Sequence, residues 1–103
     1  LSKNPQNKGI LESVYFFGAS ITSDALSSQK YGKPFNLVVS KKIINYFSPT
    51  DEVLSWADAK KLVRSPLGLN GATGTPIRKY VQRKVMPKNH RFASYAAVLK
   101  KFP

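Results

Sequence analysis

Cysteine is absent, histidine occurs once, and five carboxylates are all that 103 residues contain. Without cysteine there is no disulfide staple, no thiol nucleophile and no cysteine-based metal site, which suits a reducing compartment; cytoplasmic placement is the expectation. A lone histidine and so few acids leave little from which to build a metal centre, so neither a metal nor a cofactor is expected. Long hydrophobic runs are also missing. No stretch approaches the roughly 20 apolar residues that span a bilayer. Residues 1–9 are polar rather than a charged head followed by an apolar stretch, so neither a transmembrane segment nor a secretory leader is expected.

Negative charge is scarce and unevenly placed. All five acids lie at or before Asp58, eleven of the seventeen Lys and Arg residues follow it, and the last 45 residues hold no acid. The net charge of +12 attracts phosphates, nucleic acid, anionic lipid or an acidic protein segment, and says nothing about fold. What the chain does have is oil: 42% apolar residues, with six Phe, five Tyr and one Trp, too much for a disordered tail to carry in water. One packed domain over residues 1–103 follows. A chain of this length buries roughly two-thirds of the surface its unfolded form exposes.

The run Ser13, Val14, Tyr15, Phe16, Phe17, Gly18, Ala19 is short, continuous and apolar, the mark of a strand covered on both faces of a mostly parallel sheet. Ser20, Thr22, Ser23 and Asp24 then predict a short helix, ended by the turn Tyr31, Gly32, Lys33, Pro34. Within 35–47 two apolar clusters flank Lys41 and Lys42, and the second, Ile43, Ile44, Tyr46, Phe47, predicts another buried strand. Ser48 and Pro49 break it. From Thr50 a helical spacing sets in at Val53, Leu54, Ala57 and Leu62. Between 65 and 76 the breakers Pro66, Gly68, Gly71, Gly74 and Pro76 crowd so closely that a loop with neither helix nor strand is expected. Tyr80, Val81, Val85 and Met86 predict a third strand, closed by Pro87. Phe92, Tyr95, Ala96, Val98, Leu99 and Phe102 predict a terminal helix.

A parallel sheet gathers the loops after its strands' carboxyl ends into one crevice, where ligands bind. Two such loops carry chemistry. The first holds Ser48, Pro49, Thr50, Asp51 and Glu52, and the second Lys88, Asn89, His90 and Arg91. An acid just beyond a late strand, followed roughly forty residues later by a histidine that opens a final helix, is the order of the last two triad members in α/β-hydrolases. The words VYFFGAS, IINYFSPTDEVLSWA and NHRFASYA resemble the strand after the nucleophile helix, the next strand with its acid turn, and the histidine loop of that superfamily. Among its members the likeness is to a lipase-like group with a GA(S/P) turn and an N-x-(Y/F)-S-x-x-D-x-V-L acid turn. It covers most of 14–99.

The resemblance implies the C-terminal part of an α/β-hydrolase: a partial, mostly parallel three-layer sheet with flanking helices, acting on a small ester or lipid. Asp51 would be the triad carboxylate and His90 the general base. The serine belongs in an earlier GxSxG elbow, and that elbow is absent. Ser20, in Gly18, Ala19, Ser20, Ile21, lacks the second glycine and follows the wrong strand. The chain is therefore expected to be a fragment or truncated relative, inactive alone, whose partner is its missing N-terminal half or a second copy of itself.

Each residue also has a structural reading. Asp51 and Glu52 suit a helix's first turn, where the macrodipole favours an acid by about 0.3–1 kcal/mol. A histidine before a helix often caps or packs. Trp56, Tyr46, Tyr80 and Tyr95 read as core or rim rather than as a base-stacking platform. Gly68, Gly71 and Gly74 make no phosphate loop, since no GK(S/T) follows. The alternative function is a small basic module binding nucleic acid or another polyanion through Arg78, Lys79, Arg83, Lys84, Lys88 and Arg91, interleaved with Tyr80 and Phe92.

Overall fold

The apolar runs become three parallel strands: β1 (Leu11–Phe17), β2 (Val39–Phe47) and β3 (Tyr80–Lys84), in the order β1-β2-β3. The computed structural model that shows this describes residues 3–87, 89, 90 and 92–99. Lys88, Arg91 and Phe102, named above, lie outside the described residues. Helices α1 (Gly32–Val38), α2 (Glu52–Ala59), α3 (Leu67–Asn70) and α4 (Phe92–Ala97) connect and follow the strands. Among the described residues no helix is long and apolar enough to cross a membrane.

Strand residues alternate between two cores, as period-two geometry requires. Val14 and Phe16 of β1, Ile43 of β2 and Tyr80 of β3 pack on one face with Leu26, Val38, Val39 and Leu67. Tyr15, Phe17, Ile44 and Tyr46 pack on the other with Val85, Tyr95 and Leu99. Register pairs Val14 with Ile43, and Ile43 with Tyr80, so each layer runs straight across the sheet. On the second face Phe17 stacks on Tyr46 at 5.0 Å between ring centroids and meets Tyr95 edge-on at 6.3 Å. Full burial of a side chain such as Ile43 or Leu26 contributes roughly 1.5–3 kcal/mol.

The connections depart from the sequence reading in three places. The helix expected after Ser20 is replaced by successive turns, in which Ala25 N–H bonds Thr22 O, Ser27 bonds Asp24 O and Lys30 bonds Ser27 O. Short polar side chains such as Thr22, whose hydroxyl donates to Asp24 at 2.9 Å, offer the backbone local alternatives to a helix. The helix forms later, as α1, with Pro34 as its third residue, where the missing N–H would have no intrahelical partner anyway. Second, α2 stops at Ala59 rather than reaching Leu62: it buries Leu54 and Ala57, while Val53 and Leu62 stay exposed.

Third, the breaker-rich segment 65–76 contains one helical turn, α3. It starts directly after Pro66, as the fixed proline φ favours, and is gripped from both sides. Gly68 N–H donates to Ala19 O at 3.0 Å, and Ser48 N–H donates to Gly68 O at 2.7 Å, so α3 plugs the gap between the ends of β1 and β2. A Cβ on Gly68 would fall 2.2 Å from Ala19 N, which is why a residue without one stands there.

Candidate functional site

Proline cannot continue a strand ladder, so β2 ends before Pro49 and the chain turns into α2. Asp51 is the N-cap: its Oδ1 accepts Leu54 N–H at 3.0 Å. That bond also fixes the carboxylate's orientation, sending Oδ2 towards the loop before α4. Oδ2 accepts the Tyr95 hydroxyl at 2.5 Å and meets Nδ1 of His90 at 2.5 Å. The two loops, thirty-nine residues apart in sequence, therefore converge. Asp51 is 4% exposed and Tyr95 fully buried, whereas the His90 side chain keeps 30% of its surface open.

Electrostatics fix the protons. Burial works to raise the Asp51 carboxyl's pKa, but hydrogen bonds from Tyr95, His90 and the Leu54 N–H outweigh it and leave the group below its ordinary value. Burial, and then the adjoining carboxylate, push Tyr95 well above the usual phenol range, so it stays a donor. An ionised carboxylate only accepts, so in neutral His90 the proton sits on Nδ1 and Nε2 keeps the lone pair. This tautomer is the one a general base needs.

Two residues of the cluster were not singled out from sequence. Tyr95 was read as an apolar member of the terminal helix, yet its hydroxyl shares Oδ2 with His90. Gly18, part of the first apolar run, sits at φ +59° with its Cα facing the imidazole: a Cβ there would lie 2.7 Å from His90 Cε1 and 3.0 Å from the Tyr95 hydroxyl. No sequence periodicity marks either. The aromatic Tyr95 about one turn into an apolar stripe, and a glycine at the carboxyl end of a strand, were the available signals.

The cleft beside the pair, bordered by Thr50, Glu52, Val53, Pro87 and Asn89, holds about 100 Å³. Small-molecule sites begin at about 300 Å³. Ser20 lines a different cavity. Glu52 borders the cleft, and the carboxylate that meets the imidazole is that of Asp51. Among the described residues no three His, Cys, Asp or Glu side chains cluster as metal ligands would.

No protein-family model matches the chain, and neither does any curated protein or any solved structure.

The basic cluster is divided. Lys79 donates from Nζ to Asn36 O at 2.8 Å and Val39 O at 2.6 Å, closing the carbonyl end of α1, where a cation also suits the helix dipole. Arg83 and Lys84 are neighbours on β3 and so point to opposite faces. Trp56 is exposed, while Tyr46 and Tyr95 are buried and Tyr80 is half-buried, so these four rings do not form an open row for bases.

Proposed function

We propose that this chain supplies the acid and the base of a Ser-His-Asp triad in an α/β-hydrolase-like fold that cleaves esters or lipids, the serine coming from a segment outside it. The observation that carries the proposal is the bond between Asp51 Oδ2 and His90 Nδ1. A buried, oriented carboxylate fixes the imidazole tautomer and stabilises the imidazolium that forms when Nε2 takes a serine's proton; the same imidazolium then protonates the leaving alkoxide.

The sheet supports a serine arriving at one place. β1 is an edge strand, and all-parallel sheets are ordinarily flanked and covered. A further parallel strand on that edge, about 4.8 Å away, would bring its own carboxyl-end turn beside Gly18, which already lies against His90. The small cleft beside the pair would gain its remaining walls from the same unit. Polyanion binding, the alternative, draws less support because Lys79 is committed to α1.

The test is to extend the chain with the coding sequence upstream of Leu1 and assay hydrolysis of p-nitrophenyl butyrate. The reading expects a GxSxG segment upstream, turnover by the extended polypeptide and none by residues 1–103 alone. His90→Ala in the extended form should lower kcat by about 10⁴-fold or more. An upstream frame without such a serine, or turnover indifferent to His90, refutes the reading.

A further inference from the structure

Between the turns after β1 and the segment following α2 lies an open groove of about 660 Å³, distinct from the cleft beside Asp51 and His90. Phe16 and Phe35 are among its lining residues and meet edge-on, 6.1 Å between ring centroids. Tyr31 and Leu62 also line it and are 63% and 65% exposed. Open apolar surface of this kind is unfavourable in water unless something covers it. The volume falls within the roughly 300–1,000 Å³ of small-molecule sites.

The wall formed by 61–65 is held, not slack. Lys61 and Ser65, at its two ends, have φ of 59° and 48°, a left-handed backbone that costs non-glycine residues about 1–2 kcal/mol each. Asp58 pins it by accepting Ser65 N–H at 2.8 Å, and Ser23 N–H donates to Ser65 O at 2.8 Å. The result is a wall that keeps Leu62 in solvent and from which both Lys61 and Arg64 line the groove. Among the described residues no carboxylate lines the groove, so the lining itself holds no anion to offset the two cations.

We infer that this groove binds a single-chain amphiphile with an anionic head, its alkyl chain against Phe16, Phe35 and Leu62 and its carboxylate at Lys61 and Arg64. Charge complementarity selects the head and the apolar lining selects the tail. A second copy of the chain is a poorer occupant, because two molecules of net charge +12 repel. The inference does not use the Asp51–His90 pair, so either reading can fail while the other stands.

The test is calorimetric titration of the 103-residue chain with dodecanoate, dodecylammonium and dodecan-1-ol, each below its micelle concentration. Dodecanoate should bind at least tenfold more tightly than dodecylammonium, and about tenfold or more tighter than octanoate as four methylenes are added. Lys61→Ala with Arg64→Ala should erase the preference for the anionic head, and Leu62→Asp should weaken both dodecanol and, through its charge as well, dodecanoate. Arg83→Ala with Lys84→Ala, cations elsewhere, should change nothing, and His90→Ala should retain full dodecanoate affinity. Equal affinity for the three probes, loss of binding in the Arg83 and Lys84 variant, or sedimentation as a dimer that Leu62→Asp dissociates would each overturn the inference, the last by making the groove an interface between copies.

Discussion

The imidazole of His90 occupies the space that a side chain at Gly18 would need, with 2.7 Å between its Cε1 and the position a Cβ would take. The end of β1 therefore sets where the histidine stands, although the two are far apart in sequence. Gly18→Ala meets two penalties: a backbone at φ +59°, and overlap with both His90 and the Tyr95 hydroxyl. Together these should cost about 2–4 kcal/mol in chemical denaturation, with the imidazole displaced from Asp51. Because the chain has one histidine, the displacement is readable from a single imidazole in nitrogen-resolved NMR. An unmoved His90 resonance in the alanine variant would contradict the packing described.

Asp51 holds a helix cap and a proton-ordering site with different oxygens, so the two roles separate by substitution. Asn is as good an N-cap as Asp, and Asp51→Asn should keep the bond to Leu54 N–H while losing the charge that orders His90. Asp51→Ala should lose both, and be less stable than Asp51→Asn by about 1 kcal/mol. Tyr95→Phe removes one donor from a buried carboxylate and should cost about 1.5–3 kcal/mol, the range for hydrogen bonds to charged groups. Thermal and urea unfolding of the three variants orders them, and a Tyr95→Phe protein as stable as the parent would show that the hydroxyl bond contributes nothing.

The same cluster predicts a pH response with a definite sign. Asp51 has a folded-state pKa below its unfolded value, so its contribution is fully present above about pH 4 and disappears as pH falls through the lower folded value. Tyr95 is shifted the other way: its contribution is full below about pH 10 and is lost as pH rises through the raised folded value. Stability of the parent relative to Asp51→Asn should therefore shrink in acid, and relative to Tyr95→Phe should shrink in strong alkali. The exposed pair Glu12 and Lys41 serves as the control: their hydrogen bond lowers the glutamate and raises the lysine, but solvent screens both, and Glu12→Gln should leave the melting temperature unchanged.

How much of this was legible in the sequence follows from what each element depends on. The strands were legible because Val14, Phe16, Ile43 and Tyr46 satisfy both faces of a parallel sheet, a local property of a short apolar run. Helix α1 and the single turn α3 were not. The first hides a proline in its first turn, and the second exists because Gly68 lets it approach Ala19 and because Ser48 takes its carbonyl, contacts made across the sheet. At the site, Asp51 and His90 were legible through their order and the words around them. Gly18 and Tyr95 were not, since a glycine that makes room for an imidazole looks like any strand end, and a tyrosine whose hydroxyl meets a carboxylate looks like any core aromatic.

Asn45 gives the last prediction, because it is fully buried in β2 and only half of its amide is used. Its Nδ2 donates to Leu67 O and to the Tyr80 hydroxyl, each at 3.0 Å, while among the described residues Oδ1 has no hydrogen-bond partner. Both acceptors have other bonds: Leu67 O also takes Gly71 N–H, and the Tyr80 hydroxyl donates to Gln82 Oε1 at 2.8 Å. Asn45→Leu thus removes one unpaired buried acceptor and leaves no group newly orphaned, so its cost should stay within about 1 kcal/mol. Asn45→Asp keeps the shape but replaces the donor with a second acceptor aimed at Leu67 O. A buried carboxylate there should cost about 3 kcal/mol or more at neutral pH; because burial raises its folded pKa above the unfolded value, the cost shrinks as pH falls through the raised value and is gone once pH reaches about 4. Urea titrations at pH 7 and pH 4 distinguish the cases: the amide's donor bonds matter less than the absence of charge at this position, and an aspartate variant as stable as the leucine variant at neutral pH would reverse that order.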